Sequence, residues 1–181
     1  MQTGRFSTIL ICLSWHTGRP EETLLMEDME IMQLAIDEAR KTMRQDIGGP
    51  FGAAVVKDGE VISVSSNHVI ANNDPTAHAE VMAIRQACGK LGTYDLTGCE
   101  IFATGFPCPM CLSAIVWANI RKVSVCGLPE DAEKIGFRDD SIYRFINGGM
   151  TDKDTLEIVN LDRKPAQDLY DEYSRMNKAV Y

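Results

Sequence analysis

Positive charge is what this chain has least of: 18 Lys and Arg stand against 26 Asp and Glu, a formal net charge of −8 over 181 residues. Nucleic acid is therefore a poor ligand, because phosphate binding depends on basic side chains that neutralise the backbone. A small molecule, a free base or nucleoside, fits better. Long apolar runs are also missing. Ser7 to Trp15 is the nearest thing to one, but it is too short to cross a bilayer, and no small-residue cleavage site of the Ala-x-Ala kind follows it. Cysteine is thin on the ground. The six residues lack the density of a secreted disulfide scaffold, and Cys12, Cys88, Cys99 and Cys126 are scattered, so a reducing cytoplasm is the expected compartment and no membrane partner is expected. There is no internal repeat and no low-complexity tract. Apolar content of 45% and charged content of 24% are ordinary globular values that exclude disordered and collagenous classes. Residues 1–25 read as a floppy extension, translated from upstream of a start at Met26, with an export signal as the alternative. Residues 26–181 read as one domain.

What is present is concentrated in two short stretches. His78-Ala79-Glu80 is followed by Pro107-Cys108-Pro109-Met110-Cys111. One imidazole and two thiolates form a three-ligand zinc set that leaves a fourth coordination position for water, as catalytic sites do. Structural sites usually close that position, and no fourth Cys or His stands at finger or ribbon spacing. Ala77 to Gln86 reads as the first turns of a helix on which His78 and Glu80 point in different directions, one to metal and the other to substrate. Pro109 suits the first position of a second helix, with Cys108 and Cys111 flanking its first turn, where free N–H groups and the helix dipole favour thiolate. Taken singly, the Cys pair could be a redox motif and the His a cap. Their combination points to a metallohydrolase.

Periodicity supplies the frame. Met29, Met32, Ile36, Ala39 and Met43 predict an amphipathic helix over 27–45 with a methionine stripe in the core. Phe51 to Val56 and Val61 to Ser66 predict strands joined across Asp58-Gly59, a hairpin signal. Further strands are expected at 100–104, 123–127 and 156–161, and helices at 77–88, 109–119, 141–147 and 166–178. The Gly48 to Gly52 stretch is not a phosphate loop, because a strand follows it and no Lys-Ser/Thr pair closes it. Strands separated by single helices predict parallel neighbours beyond the opening hairpin. The expected fold is thus α/β, a three-layer α/β/α sandwich with a mixed five-stranded sheet. Both motif helices start at one end of that sheet, in the crevice where open α/β sheets place ligands.

The His-x-Glu and Pro-Cys-x-x-Cys pair is the known signature of zinc deaminases. With Gly48-Gly49-Pro50-Phe51-Gly52, Asn73 to Val81, Ala114-Ile115-Val116-Trp117-Ala118, Gly136-Phe137-Arg138-Asp139-Asp140 and Asn177 to Tyr181, the chain from about Met29 onward resembles the cytidine deaminase-like zinc hydrolases, and among them the bacterial guanine deaminases. That resemblance implies one zinc per subunit held by His78, Cys108 and Cys111, with Glu80 as the catalytic proton carrier. It implies substrate contacts from Phe51 and Trp117 as apolar walls, Asn67 as the amide reading the polar edge, and Asp139 and Tyr181 near the leaving amine. It further implies a homodimer that swaps its C-terminal segment, leaving Tyr181 to act either in trans or in its own chain. The expected reaction is hydrolysis of guanine to xanthine and ammonia. Guanosine, cytosine or an aminotriazine are alternative substrates, and a tRNA adenosine deaminase or a non-catalytic zinc scaffold are alternative functions. One residue departs from the family pattern: Phe106 stands where a Glu usually precedes Pro-Cys-x-x-Cys.

Overall fold

A computed structural model describes residues 26–180. The first helix, α1 (Asp28–Met43), begins where Glu27 N–H donates to the Glu30 carboxylate at 3.1 Å. Acids in its first turn and Arg40 and Lys41 in its last complement the helix dipole. Two strands follow, β1 (Gly52–Lys57) and β2 (Glu60–Ser66), antiparallel and joined by Asp58 (φ 50) and Gly59 (φ 78). Both turn residues sit at positive φ, the geometry the Asp-Gly dipeptide supplies. A register shift between Val55 and Val56 leaves Ile62 as an extra residue on β2. After a short helix α2 (Val69–Asn72) come α3 (Ala79–Leu91), β3 (Cys99–Ala103), α4 (Pro109–Trp117) and β4 (Lys122–Val125). Three further helices close the chain: α5 (Pro129–Lys134), α6 (Asp140–Asn147) and α7 (Lys164–Arg175).

Alternation along the central strands separates two cores. Ala53, Val55 and Ile101 face Ala79, Ala83, Ile84 and Ala87 of α3 and Ile115 of α4. Ala54, Val56 and Phe102 face Ile31, Met32 and Ala35 of α1. The three-layer α/β/α arrangement is therefore present. Gly52 allows α1 to lie so close: a β-carbon there would sit 2.0 Å from the Ala35 carbonyl oxygen.

Three expectations are corrected. Among the described residues the sheet has four strands, in the order β2-β1-β3-β4, not five. Leu156 to Leu161 forms no strand and is exposed throughout, because a β-prone segment needs a neighbouring edge to pair with and none lies beside it. The chain between β2 and β3 passes beyond β1, so β3 pairs antiparallel with β1, and only β3 and β4 are parallel neighbours. The methionine stripe is displaced as well: Met29 is 68% exposed and Met43 41%, and the buried face of α1 is Ile31, Met32, Ala35, Ala39 and Thr42. The short helices α2 and α5 were not expected. No helix among the described residues is long and apolar enough to cross a membrane. The expectation for residues 1–25 lies outside the described residues.

Candidate metal centre and pocket

The approach to α3 is shaped by Asp74. Its carboxylate accepts from the N–H and hydroxyl of Thr76 at 2.8 and 2.7 Å, an Asx turn that holds its carboxyl below the ordinary aspartate range. Ala77 N–H donates to the Asp74 carbonyl and His78 N–H to that of Thr76. His78 then takes the N-cap position in extended backbone, and the helix proper starts one residue later. At the other motif Cys108 is the N-cap of α4, Pro109 opens the helix and Cys111 lies one turn in.

The two helix starts meet. His78 Nδ1 lies 3.7 Å from Cys108 Sγ and 3.6 Å from Cys111 Sγ, and the three potential ligand atoms are all within 4.8 Å of one another. A tetrahedral zinc with bonds of about 2.3 Å to sulfur and about 2.0 Å to nitrogen sets N and S roughly 3.6 Å apart. The spacing fits. So does the electrostatics: the Cys111 thiol, donating to Cys108, holds the Cys108 thiol down to about 4, helped by His78. Cys111 in turn is pushed up by that same bond and by burial, and His78 is raised by its contact with Cys108. A divalent cation among the three ligands is what would let both sulfurs ionise.

Glu80 stands beside this triangle, not in it. It is the second residue of α3, 8% exposed, within hydrogen-bonding reach of Cys111, and burial raises its carboxyl above the usual range. It opens with His78 and Cys108 onto a cavity of about 640 Å³. Phe51, Phe106 and Phe137 form aromatic walls, and Asn67, Arg138 and Asp139 bring polar groups to it. Phe51 and Phe137 meet edge to face, with ring centroids 4.9 Å apart. Asn67 is 5% exposed, and its side-chain oxygen accepts from Gly49 N–H at 3.2 Å and Val69 N–H at 3.1 Å. Asn67 thus lines the cavity with its side-chain oxygen already engaged. Asp139 precedes α6 as its N-cap, and burial raises its carboxyl.

Of the residues singled out from sequence, His78, Cys108, Cys111, Glu80, Phe51, Asn67 and Asp139 come together. Trp117 does not. It closes α4, is 73% exposed and does not line the cavity, because eight residues of helix from Pro109 carry it about 12 Å from the metal end. Tyr181 lies outside the described residues. Sequence reasoning passed over Phe137 and Arg138 as wall residues, although they directly precede Asp139, and noted Phe106 only as a departure.

An α/β/α sandwich whose two helix N-termini present one imidazole, two cysteine sulfurs and, outside that triangle, a buried carboxylate to an aromatic pocket defines a zinc-dependent hydrolase. Residues 26–127 match the family model of the cytidine and deoxycytidylate deaminase zinc-binding region, and the chain belongs to that family. It is a zinc-dependent hydrolytic deaminase. A guanine deaminase of Bacillus subtilis is 45% identical over 122 residues, 67% of this chain and 78% of that protein. A solved structure of guanine deaminase from Bacillus subtilis superposes with a TM-score of 0.79 at 38% identity, covering 86% of this chain and 99% of the other. A tRNA-specific adenosine deaminase of Aquifex aeolicus is 45% identical over 92 residues, but over only 51% of this chain and 60% of its own length.

Proposed function

We propose that the protein hydrolyses guanine at C2 to xanthine and ammonia. The observation that carries this reading is Glu80, a buried carboxylate that stands outside the ligand triangle yet sits against it at the foot of an aromatic pocket. In fold the likeness is greater to guanine deaminase, whose structure superposes over 86% of this chain with a TM-score of 0.79, than to a tRNA:A34 deaminase structure, which covers 56% with a TM-score of 0.54.

When bound by His78, Cys108 and Cys111, zinc supplies the acidification that makes hydroxide available from water near neutral pH. Glu80 accepts one proton from that water and delivers it to the ring nitrogen beside C2 as the oxygen adds, then takes the second proton from the added hydroxyl and gives it to the amine, which leaves as ammonia while the C2 carbonyl forms. Phe51 holds one face of the purine by stacking. Asn67, its oxygen already engaged, donates from its amide nitrogen to an acceptor on the purine edge. Asp139 stands where it can accept from the amine that leaves. Tyr181 of a second subunit completes the site, and the protein works as a homodimer that exchanges its C-terminal segment. In support, every residue from Gly148 to Val180 is exposed, apolar Leu156, Ile158, Val159 and Leu161 included. Cysteines that are few and scattered, without the density of a disulfide scaffold, support a cytoplasmic setting.

Glu80→Gln is the direct test: kcat should fall by about 10²–10⁴ with zinc still bound, and near-normal turnover would refute the assignment. The tRNA adenosine reading draws on the similarity to the Aquifex aeolicus enzyme, against which stands the charge of −8. A gel shift with tRNA that vanishes at modest salt removes it. Since Trp117 leaves the cavity of its own chain open, base and nucleoside are separated by measuring ammonia release over a panel of both.

A further inference from the structure

Asp139 rides on a segment that the body holds lightly. Residues 128–147 follow β4 and carry α5 and α6, neither of which packs on another helix or strand to more than a marginal extent. Side chains on either side of Asp139 tie it down. Before it, the ring of Phe137 meets Phe51 edge to face, centroids 4.9 Å apart and planes at 90°. That ring lies so near Gly49 that a β-carbon there would be 3.0 Å from Phe137 Cζ. After it, the Tyr143 hydroxyl reaches the carbonyl of Pro107 at 3.5 Å, next to the ligand Cys108. Asp139 sits between the two ties, its carbonyl accepting from Ile142 and Tyr143 N–H as α6 begins.

Phe51 is the fixed half of the aromatic pair. Its N–H donates to Gly49 and its carbonyl accepts from Asn67 N–H at 2.9 Å, and its other edge faces Gly105, where a β-carbon would lie 3.3 Å from the ring. Phe137 is the half that can let go. We propose that Phe137 is a positioning residue: its ring latches the 128–147 segment onto Phe51 and so holds Asp139 at the pocket. Its ring also lines the cavity, but the latch acts on the rate through Asp139, and the inference rests on the role given to Asp139 above.

Four variants of the full-length zinc-loaded protein decide it: Phe137→Leu, Phe137→Tyr, Asp139→Asn and the double Phe137→Leu/Asp139→Asn. An edge-to-face pair is worth enough for Phe137→Leu to lower kcat about two- to tenfold, with KM less affected. Phe137→Tyr, which keeps the ring, retains the rate. In the Asp139→Asn background, read under single-turnover conditions, Phe137→Leu should cost nothing further. Amide hydrogen exchange across 128–147 should quicken in Phe137→Leu while α3 keeps its protection. If Phe137→Leu costs the same factor with and without Asp139, or leaves exchange unchanged, the latch is overturned while the role of Asp139 stands. If Asp139→Asn alone runs at the full rate, the role of Asp139 itself falls and the latch with it. Should Phe137→Leu fail to load zinc, Phe137→Met, which keeps an apolar side chain but no ring, takes its place in the same cycle and is read by the same outcomes.

Discussion

His78 and Cys108 occupy the same position in two different helices, the N-cap, with nearly the same backbone (φ −67, ψ 156 and φ −66, ψ 168). A cap residue has an extended backbone and a free side chain, so each ligand is aimed by the start of a rigid element whose body lies in the core. The metal set was legible because it depends on residue types at short spacing, and Pro109 announced its helix. That His78 caps α3 instead of lying within its first turn was not legible, because nothing in the residues around it separates the two positions. What sets it is the Asp74 turn. Asp74 has a folded pKa below its ordinary 3.8, so the stability it contributes is complete above that value and is lost as pH falls through the folded pKa. Asp74→Asn keeps an acceptor but cannot titrate. The gap in urea midpoint between the two proteins should therefore be constant above about pH 5 and change only below it. A gap that moves between pH 6 and pH 8 would assign the effect to another group.

At the scale of elements, β1 is the organising strand, paired on both sides and buried from Gly52 to Val56. The hairpin was readable from Asp58-Gly59, a local signal. The pairing of β1 with β3 was not, because it is a contact between segments far apart in sequence, decided by which strand buries Ala53, Val55 and Ile101 against α3. The misassigned methionine stripe has a similar cause: a period of 3.6 accommodates two neighbouring faces of α1, and only the sheet selects between them. Gly52 marks the tightest point of that docking. Gly52→Ala should cost about 1–3 kcal/mol of stability through overpacking, seen as a lower denaturant midpoint with an unchanged m-value. A wild-type midpoint would mean that α1 shifts freely on the sheet.

For the whole molecule, the apolar side chains of Leu156 to Leu161, with Leu169, Tyr170 and Tyr173 of α7, lie on the surface of the single chain. Patches of this kind mark contact with another molecule, which sequence patterning registers only as an unplaced strand and an amphipathic helix. If the terminal Tyr181 serves its partner's site, equimolar Glu80→Gln and Tyr181→Phe proteins, each inactive, should recover roughly a quarter of wild-type activity after unfolding and refolding together. Half of the dimers are then mixed, and each mixed dimer has one intact site. No recovery would place Tyr181 in the site of its own chain. The metal ligands and Glu80 belong to helices rooted in the sheet, whereas Phe137, Arg138 and Asp139 come from an outlying segment that leans on it. On the roles proposed above, zinc binding and proton transfer by Glu80 are carried by the body of the fold, while part of the substrate contact comes from residues 128–147. Exchanging those residues for the corresponding ones of another deaminase should then shift which amine is removed and leave zinc loading unchanged.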